Sequence, residues 1–174
     1  AQRFGVTPDL ITFAKGASNG AVPLGGVLVS DAIHASLQQG PPQAIDLFHG
    51  YTYSGHPLAC AAALATLEVY AEERLFERAI ELGDYWQQAL HRLHDLPHVI
   101  DIRNFGLVGA LELAPRREAP GSRGHEVFRR CFHEGDLLVR QTGDVIALSP
   151  PLIVEPAQID RIADVLGAMI RATA

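Results

Sequence analysis

The chain has 174 residues, 48% hydrophobic and 20% charged, as expected for an ordinary globular protein. A formal charge of −6 provides no basic field for nucleic acid or an anionic lipid surface, which argues against both partners. The longest uncharged runs, Gly16–Ser30 and Leu47–Leu67, are broken by Gly, Pro, His or Asn and no basic-then-apolar leader opens the chain, so neither a membrane span nor a secretory signal is expected.

In chain order, Pro8-Asp9 introduces the β-prone run Leu10-Ile11-Thr12-Phe13-Ala14, which ends at Lys15 before the turn-rich segment Gly16-Ala17-Ser18-Asn19-Gly20. Gly25–Ser30 reads as a second buried strand, and Asp31 is placed to cap a helix running to about Leu37. A Gly/Pro/Gln linker, Gln38–Gln43, leads to an aromatic, His-bearing loop over Leu47–Gly55. Pro57 suits the first turn of a helix, where its missing N–H is not needed, and residues 57–72 are rich in Ala and Leu. A second helix is predicted over about Leu75–Leu93, with Leu75, Phe76, Ala79, Leu82, Trp86, Leu90 and Leu93 at near-helical spacing. A domain boundary is expected near Asp95–His98, dividing the chain into residues 1–95 and 96–174.

Beyond it, Val99–Arg103 and Val108–Leu113 read as strands and Gly124–Glu134 as a short helix. Leu137–Arg140 and Val145–Leu148 form a predicted hairpin that turns at Thr142-Gly143-Asp144. Glu155-Pro156 opens a terminal amphipathic helix with Ile159, Ile162, Val165, Leu166 and Ile170 facing inward. This second part is expected to be a compact α+β domain.

Three places could carry chemistry. Among the 14 basic side chains Lys15 is the only lysine. A lysine closing an apolar strand is expected to be poorly hydrated, and an uncharged amine is what imine formation needs. Lysines at strand ends are also common surface residues, so the position alone does not settle the role. The second place is His49-Gly50-Tyr51-Thr52-Tyr53-Ser54-Gly55-His56-Pro57, where a hydroxyl and backbone N–H groups at a helix start could bind a phosphate. An ordinary N-cap loop has the same composition. The third is Arg140, after three aliphatic residues, whose planar fork matches a carboxylate, although a surface arginine on a hairpin is the commoner case. Arg103 reads as structural. His49 with His56, and His91 with His94, match no metal-ligand pattern. Cys60 and Cys131 lie far apart without a C-x-x-C motif, implying neither zinc nor a disulfide framework and fitting a reducing, cytoplasmic setting.

The segment from Asp9 to Val27, Asp-Leu-Ile-Thr-Phe-Ala-Lys-Gly-Ala-Ser-Asn-Gly-Ala-Val-Pro-Leu-Gly-Gly-Val, closely resembles the lysine segment of class III pyridoxal-phosphate aminotransferases. Ala17-Ser18-Asn19-Gly20, where many members carry Gly-Gly-Gly, is similar to the omega-amino acid–pyruvate branch. The resemblance runs from about Gln2 to about Ile170 and implies a fold-type-I α/β transferase: the C-terminal part of a large domain, then a small α+β domain. It implies that Lys15 holds pyridoxal 5'-phosphate as a Schiff base and later shuttles a proton. It further implies that Tyr51 and Thr52 reach the cofactor phosphate bound in the other subunit of a homodimer. Arg140, in an R-x-x-G-D arrangement followed by Ser149-Pro150-Pro151-Leu152, would clamp the substrate carboxylate. An amino donor and a keto-acid acceptor such as pyruvate are the implied substrates. Full-length relatives carry a phosphate loop, a stacking aromatic and a ring-pairing Asp upstream, so the chain alone is expected not to transaminate. An aminomutase or decarboxylase of the same fold would share Lys15, and a non-catalytic interaction domain would not use it.

Overall fold

A computed structural model of the chain describes residues 1–45 and 47–173. Its contacts fall into two compact units, Ala1–Glu73 and Arg74–Ala174.

In the first unit, β-branched and aromatic residues extend as β1 (Leu10–Ala14), paired antiparallel with β2 (Gly25–Val29) from Leu10↔Val29 to Ala14↔Gly25. The Phe13 ring lies over its cross-strand partner Gly26, where an added Cβ would stand 2.5 Å from a ring carbon. Every residue of β1 is exposed. A 3-10 turn over Lys15–Ser18 follows β1. Helix α1 spans Asp31–Leu37 with Ser30 at the cap position. Asp31 is therefore the first helical residue rather than the cap, and its charge sits in the favourable field of the helix N-terminus. Helix α2 (Pro57–Glu72) begins on Pro57 as the sequence predicts. It buries only Ala59 and leaves Leu58, Leu64 and Leu67 exposed.

The second unit is built on a four-stranded antiparallel sheet in the order β3-β4-β6-β5. These strands are β3 (Val99–Phe105), β4 (Val108–Leu113), β5 (Arg140–Thr142) and β6 (Val145–Leu148). Four helices accompany it: α3 (Leu75–Glu81), α4 (Gly83–His91), α5 (Ser122–Gly135) and α6 (Pro156–Arg171). Strand β4 alternates as a half-buried strand should, with Gly109, Leu111 and Leu113 inward. They meet Trp86 and Leu90 of α4, Val127 and Cys131 of α5, Ile146 of β6, and Ile159, Leu166 and Ile170 of α6. Ala163 and Gly167 complete the buried stripe of α6, whereas Ile162 and Val165 are only half-buried. Glu155 and Gln158 form a capping box at its start, with the Glu155 N–H donating to Gln158 Oε1 at 2.8 Å.

Three expectations change. The helix predicted over Leu75–Leu93 is interrupted at Leu82, next to Gly83, the weakest helix former in the run. The break in contacts falls between Glu73 and Arg74, upstream of Asp95–His98, because Trp86, Leu90 and Leu93 belong to the core of the α+β unit. Leu137–Val139 are not strand: Asp136 turns left-handed (φ 47°) and the Leu137 N–H returns to the Cys131 carbonyl at 2.8 Å, closing α5 before the chain can extend. Among the described residues no helix is long and apolar enough to cross a membrane.

The β5–β6 turn caps a helix. Asp144 accepts the Gly121 N–H at 2.6 Å and the Gly124 N–H at 2.9 Å, satisfying two donors at the start of α5. Replacing Asp144 by Ala should lower the stability of this unit by about 1–2 kcal/mol, read as the shift in urea midpoint at constant slope, with Asp144→Asn losing less. Cys131 is buried, and burial pushes its thiol up to about 11, whereas Cys60 is exposed. The native chain should therefore react with one equivalent of a thiol reagent at neutral pH, and with two after unfolding. The unfolded thiol ionises first, so stability should be unaffected by this group below about 9 and fall as pH rises from there to about 11.

Candidate active site

Lys15 follows the last residue of β1 and adopts φ 53°, in the left-handed region. For a residue with a side chain that conformation costs about 1–2 kcal/mol. Such strain persists only where the surroundings impose it, and it is concentrated at functional positions. Here the turn is bonded from several sides. The Gly20 N–H donates to the Lys15 carbonyl at 3.3 Å, and the Gly16 carbonyl accepts the Asn19 N–H at 3.3 Å. The buried Ser18 hydroxyl donates to the Val22 carbonyl at 2.6 Å. From α2, the Tyr70 hydroxyl donates to the Gly16 carbonyl at 2.8 Å. The Lys15 side chain is exposed, contrary to the expectation of poor hydration, because β1 beside it is covered on neither face.

Tyr51 and Thr52 lie exposed in the loop before α2. The Tyr51 ring stands edge-on to His49 with centroids 4.7 Å apart, and its carbonyl accepts the Ser54 N–H at 3.0 Å. Gly55 turns left-handed (φ 69°), bringing the chain into the helix at Pro57. His56, at the cap position, offers no side-chain bond to the first turn. The start of the 16-residue helix α2 therefore has no capping side chain, and Thr52 precedes it in the loop that leads there. Among the described residues no hydrogen bond or ring contact joins Lys15 to Tyr51 or Thr52, although all three share the first unit.

Arg140 opens β5 in the second unit, opposite Ala147 of β6. It is exposed and forms no ion pair among the described residues. It stands at a cavity of about 1040 Å³ with mostly apolar walls, among them Leu138, Val139, Leu148, Pro151 and Ile153. A guanidinium that makes no ion pair among the described residues, beside mostly apolar walls, is suited to receive a carboxylate. Arg103 differs. It pairs with Asp101 and with Glu112 at 2.9 Å across β3 and β4, bonds that raise its pKa further, led by the one to Asp101. Tyr70 was not singled out in the sequence, since a tyrosine late in a helix, 54 residues from its acceptor, carries no local signal.

Comparison with known proteins places these features in a family. The model of aminotransferase class-III matches residues 1–170. An omega-aminotransferase of Caulobacter vibrioides is 58% identical over 170 residues, covering 98% of this chain and 38% of that protein. An omega-amino acid–pyruvate aminotransferase of Pseudomonas putida is 40% identical over 172 residues, covering 98% of this chain and 38% of that protein. Among solved structures, an (S)-enantioselective omega-transaminase from Thermomicrobium roseum superposes with a TM-score of 0.88 at 37% identity, covering 98% of this chain and 39% of that one. The chain thus spans roughly two fifths of the length of these relatives. With nearly every residue matched in both sequence and fold, it belongs to the class-III aminotransferases and carries part of their fold-type-I architecture.

Proposed function

We propose that this chain supplies the lysine and the carboxylate clamp of a pyridoxal-phosphate transaminase that moves an amino group from an omega-amino acid or primary amine to pyruvate or a similar keto acid. The observation that carries the reading is Lys15, the sole lysine, in a strained left-handed turn inside a segment matched by the family model. The residues fit the cofactor at both its ends: a solvent-reachable amine for the aldehyde, and a threonine in the loop leading to an uncapped helix N-terminus for the phosphate. Bound there, pyridoxal phosphate would supply a carbonyl for imine exchange and an electron-withdrawing ring.

The chain's own residues would do the rest. Lys15 Nζ holds the cofactor and, when released, takes a proton from the substrate carbon and returns it as general base and acid. Thr52 Oγ1 and the Tyr51 backbone bind phosphate in the site of a second subunit, so a homodimer with shared sites is the working assembly. Arg140 orients the substrate carboxylate. Two free thiols suit a reducing, cytoplasmic setting. That the chain spans about two fifths of its relatives supports the reading that the 174 residues alone do not transaminate.

Lys15 Nζ is the only side-chain aliphatic amine among the 174 residues. Incubation with pyridoxal phosphate, borohydride reduction and peptide mapping should place the label on Lys15; a Lys15 peptide recovered without label would overturn the assignment. In an active assembly containing this chain, Arg140→Ala should raise KM for a carboxylate-bearing amino donor by roughly 10- to 100-fold, the equivalent of a charged hydrogen bond of about 1.5–3 kcal/mol. KM for an amine lacking a carboxylate should stay unchanged.

A further inference from the structure

Lys15 has a long, flexible side chain that is exposed to solvent. Its amine is useful only if the backbone beneath it points in one direction, since each freely rotating bond lowers the fraction of time spent in a productive geometry. The bonds inside the turn, from Gly20 to Lys15, from Ala21 to Ser18 (3.0 Å) and from Ser18 to Val22, all span five residues or fewer. They shape the turn without tying it to the rest of the unit.

Two anchors do that, one on each side of Lys15. On the N-terminal side, Ala14 is held in the sheet opposite Gly25. On the C-terminal side, the Gly16 carbonyl is held by the Tyr70 hydroxyl at 2.8 Å, across 54 residues of sequence and from the last turn of the 16-residue helix α2. The fit at Gly16 is close: an added Cβ would lie 3.5 Å from the Tyr70 oxygen. The ladder holds Ala14, the Gly20 N–H holds the Lys15 carbonyl, and the Tyr70 bond holds the next peptide, Gly16–Ala17, so the left-handed turn at Lys15, and with it the direction of its Cα–Cβ bond, is held from both sides. We infer that Tyr70 is a positioning residue for the Lys15 amine, acting through the Gly16 carbonyl; the inference rests on the proposed role of Lys15.

Tyr70→Phe keeps the ring and removes the hydroxyl. Parent and variant are each incubated with pyridoxal phosphate and reduced with borohydride, and the label on Lys15 is quantified against that on an unstructured lysine peptide added as an internal reference. Tyr70→Phe should lower the ratio of Lys15 label to reference label by about 2- to 10-fold, the loss expected for one hydrogen bond. Tyr70→p-aminophenylalanine, which restores a donor on the same ring, should recover the ratio. A purely structural role would change the melting temperature without lowering the ratio in the folded variant.

An unchanged ratio in folded Tyr70→Phe would overturn the inference and leave the Lys15 assignment standing. Failure of the p-amino variant to recover the ratio would also overturn it, since ring packing rather than the bond would then be responsible. A parent that carries no label on Lys15 would remove the Lys15 assignment and the inference together.

Discussion

The second unit depends on one close approach. At Gly109 the sheet carries no side chain, and Trp86 and Leu90 of α4 occupy that space; a Cβ there would collide with Leu90 and lie 3.1 Å from the indole nitrogen. Trp86 is wholly buried, and its indole N–H has no partner among the described residues. An unmade hydrogen bond of this kind costs about 1–3 kcal/mol. Burying roughly 200 Å² of an aromatic side chain returns about 5 kcal/mol at 25 cal/mol per Å². Burial outweighs the lost bond, so the indole stays. It also draws α4 into this unit and moves the break in contacts upstream of the boundary expected near Asp95–His98.

The first unit is organised by a different constraint. Its sheet has two strands, β1 is exposed throughout, and Leu10, Val27 and Leu28 are all more than half exposed. A two-stranded pair with so little buried surface gains little from the hydrophobic effect. Order in the region of Lys15 therefore comes from directional bonds: the β1–β2 ladder, the Ser18 hydroxyl and the Tyr70 hydroxyl. The relatives are longer than this chain by more than half of their own length, a proportion that accords with so much uncovered apolar surface.

The two halves of the proposed chemistry thus have different supports. Arg140 stands on a strand of a well-packed unit, where Ile146 and Leu148 of the neighbouring strand are buried. Its backbone is set by sheet geometry and its charge is left without an ion pair among the described residues. Lys15 stands on a strained turn in a thinly packed unit, so its geometry is the more sensitive to the loss of a single bond. Tyr51 and Thr52 are exposed on a loop whose fixed end is the Pro57 helix start.

Much of this was legible in the sequence because the signals are local. The strand before Lys15, the helix starting on Pro57, the β4 run Val108–Leu113 and the Glu155-Pro156 helix start depend on side-chain type and short-range spacing, and they appear where the pattern places them. The motifs around Lys15, Thr52 and Arg140 were readable as a family resemblance for the same reason. Only tertiary structure decided that Asp144 caps α5 from a distant turn, that Trp86 belongs to the α+β core, and that Tyr70 reaches Gly16. Each depends on residues brought together from separate parts of the chain, through a steric gap or a single directional bond, and neither leaves a periodic mark in the sequence. The lone lysine is visible in the composition; the left-handed turn that aims it exists only where a sheet and a helix hold the neighbouring residues.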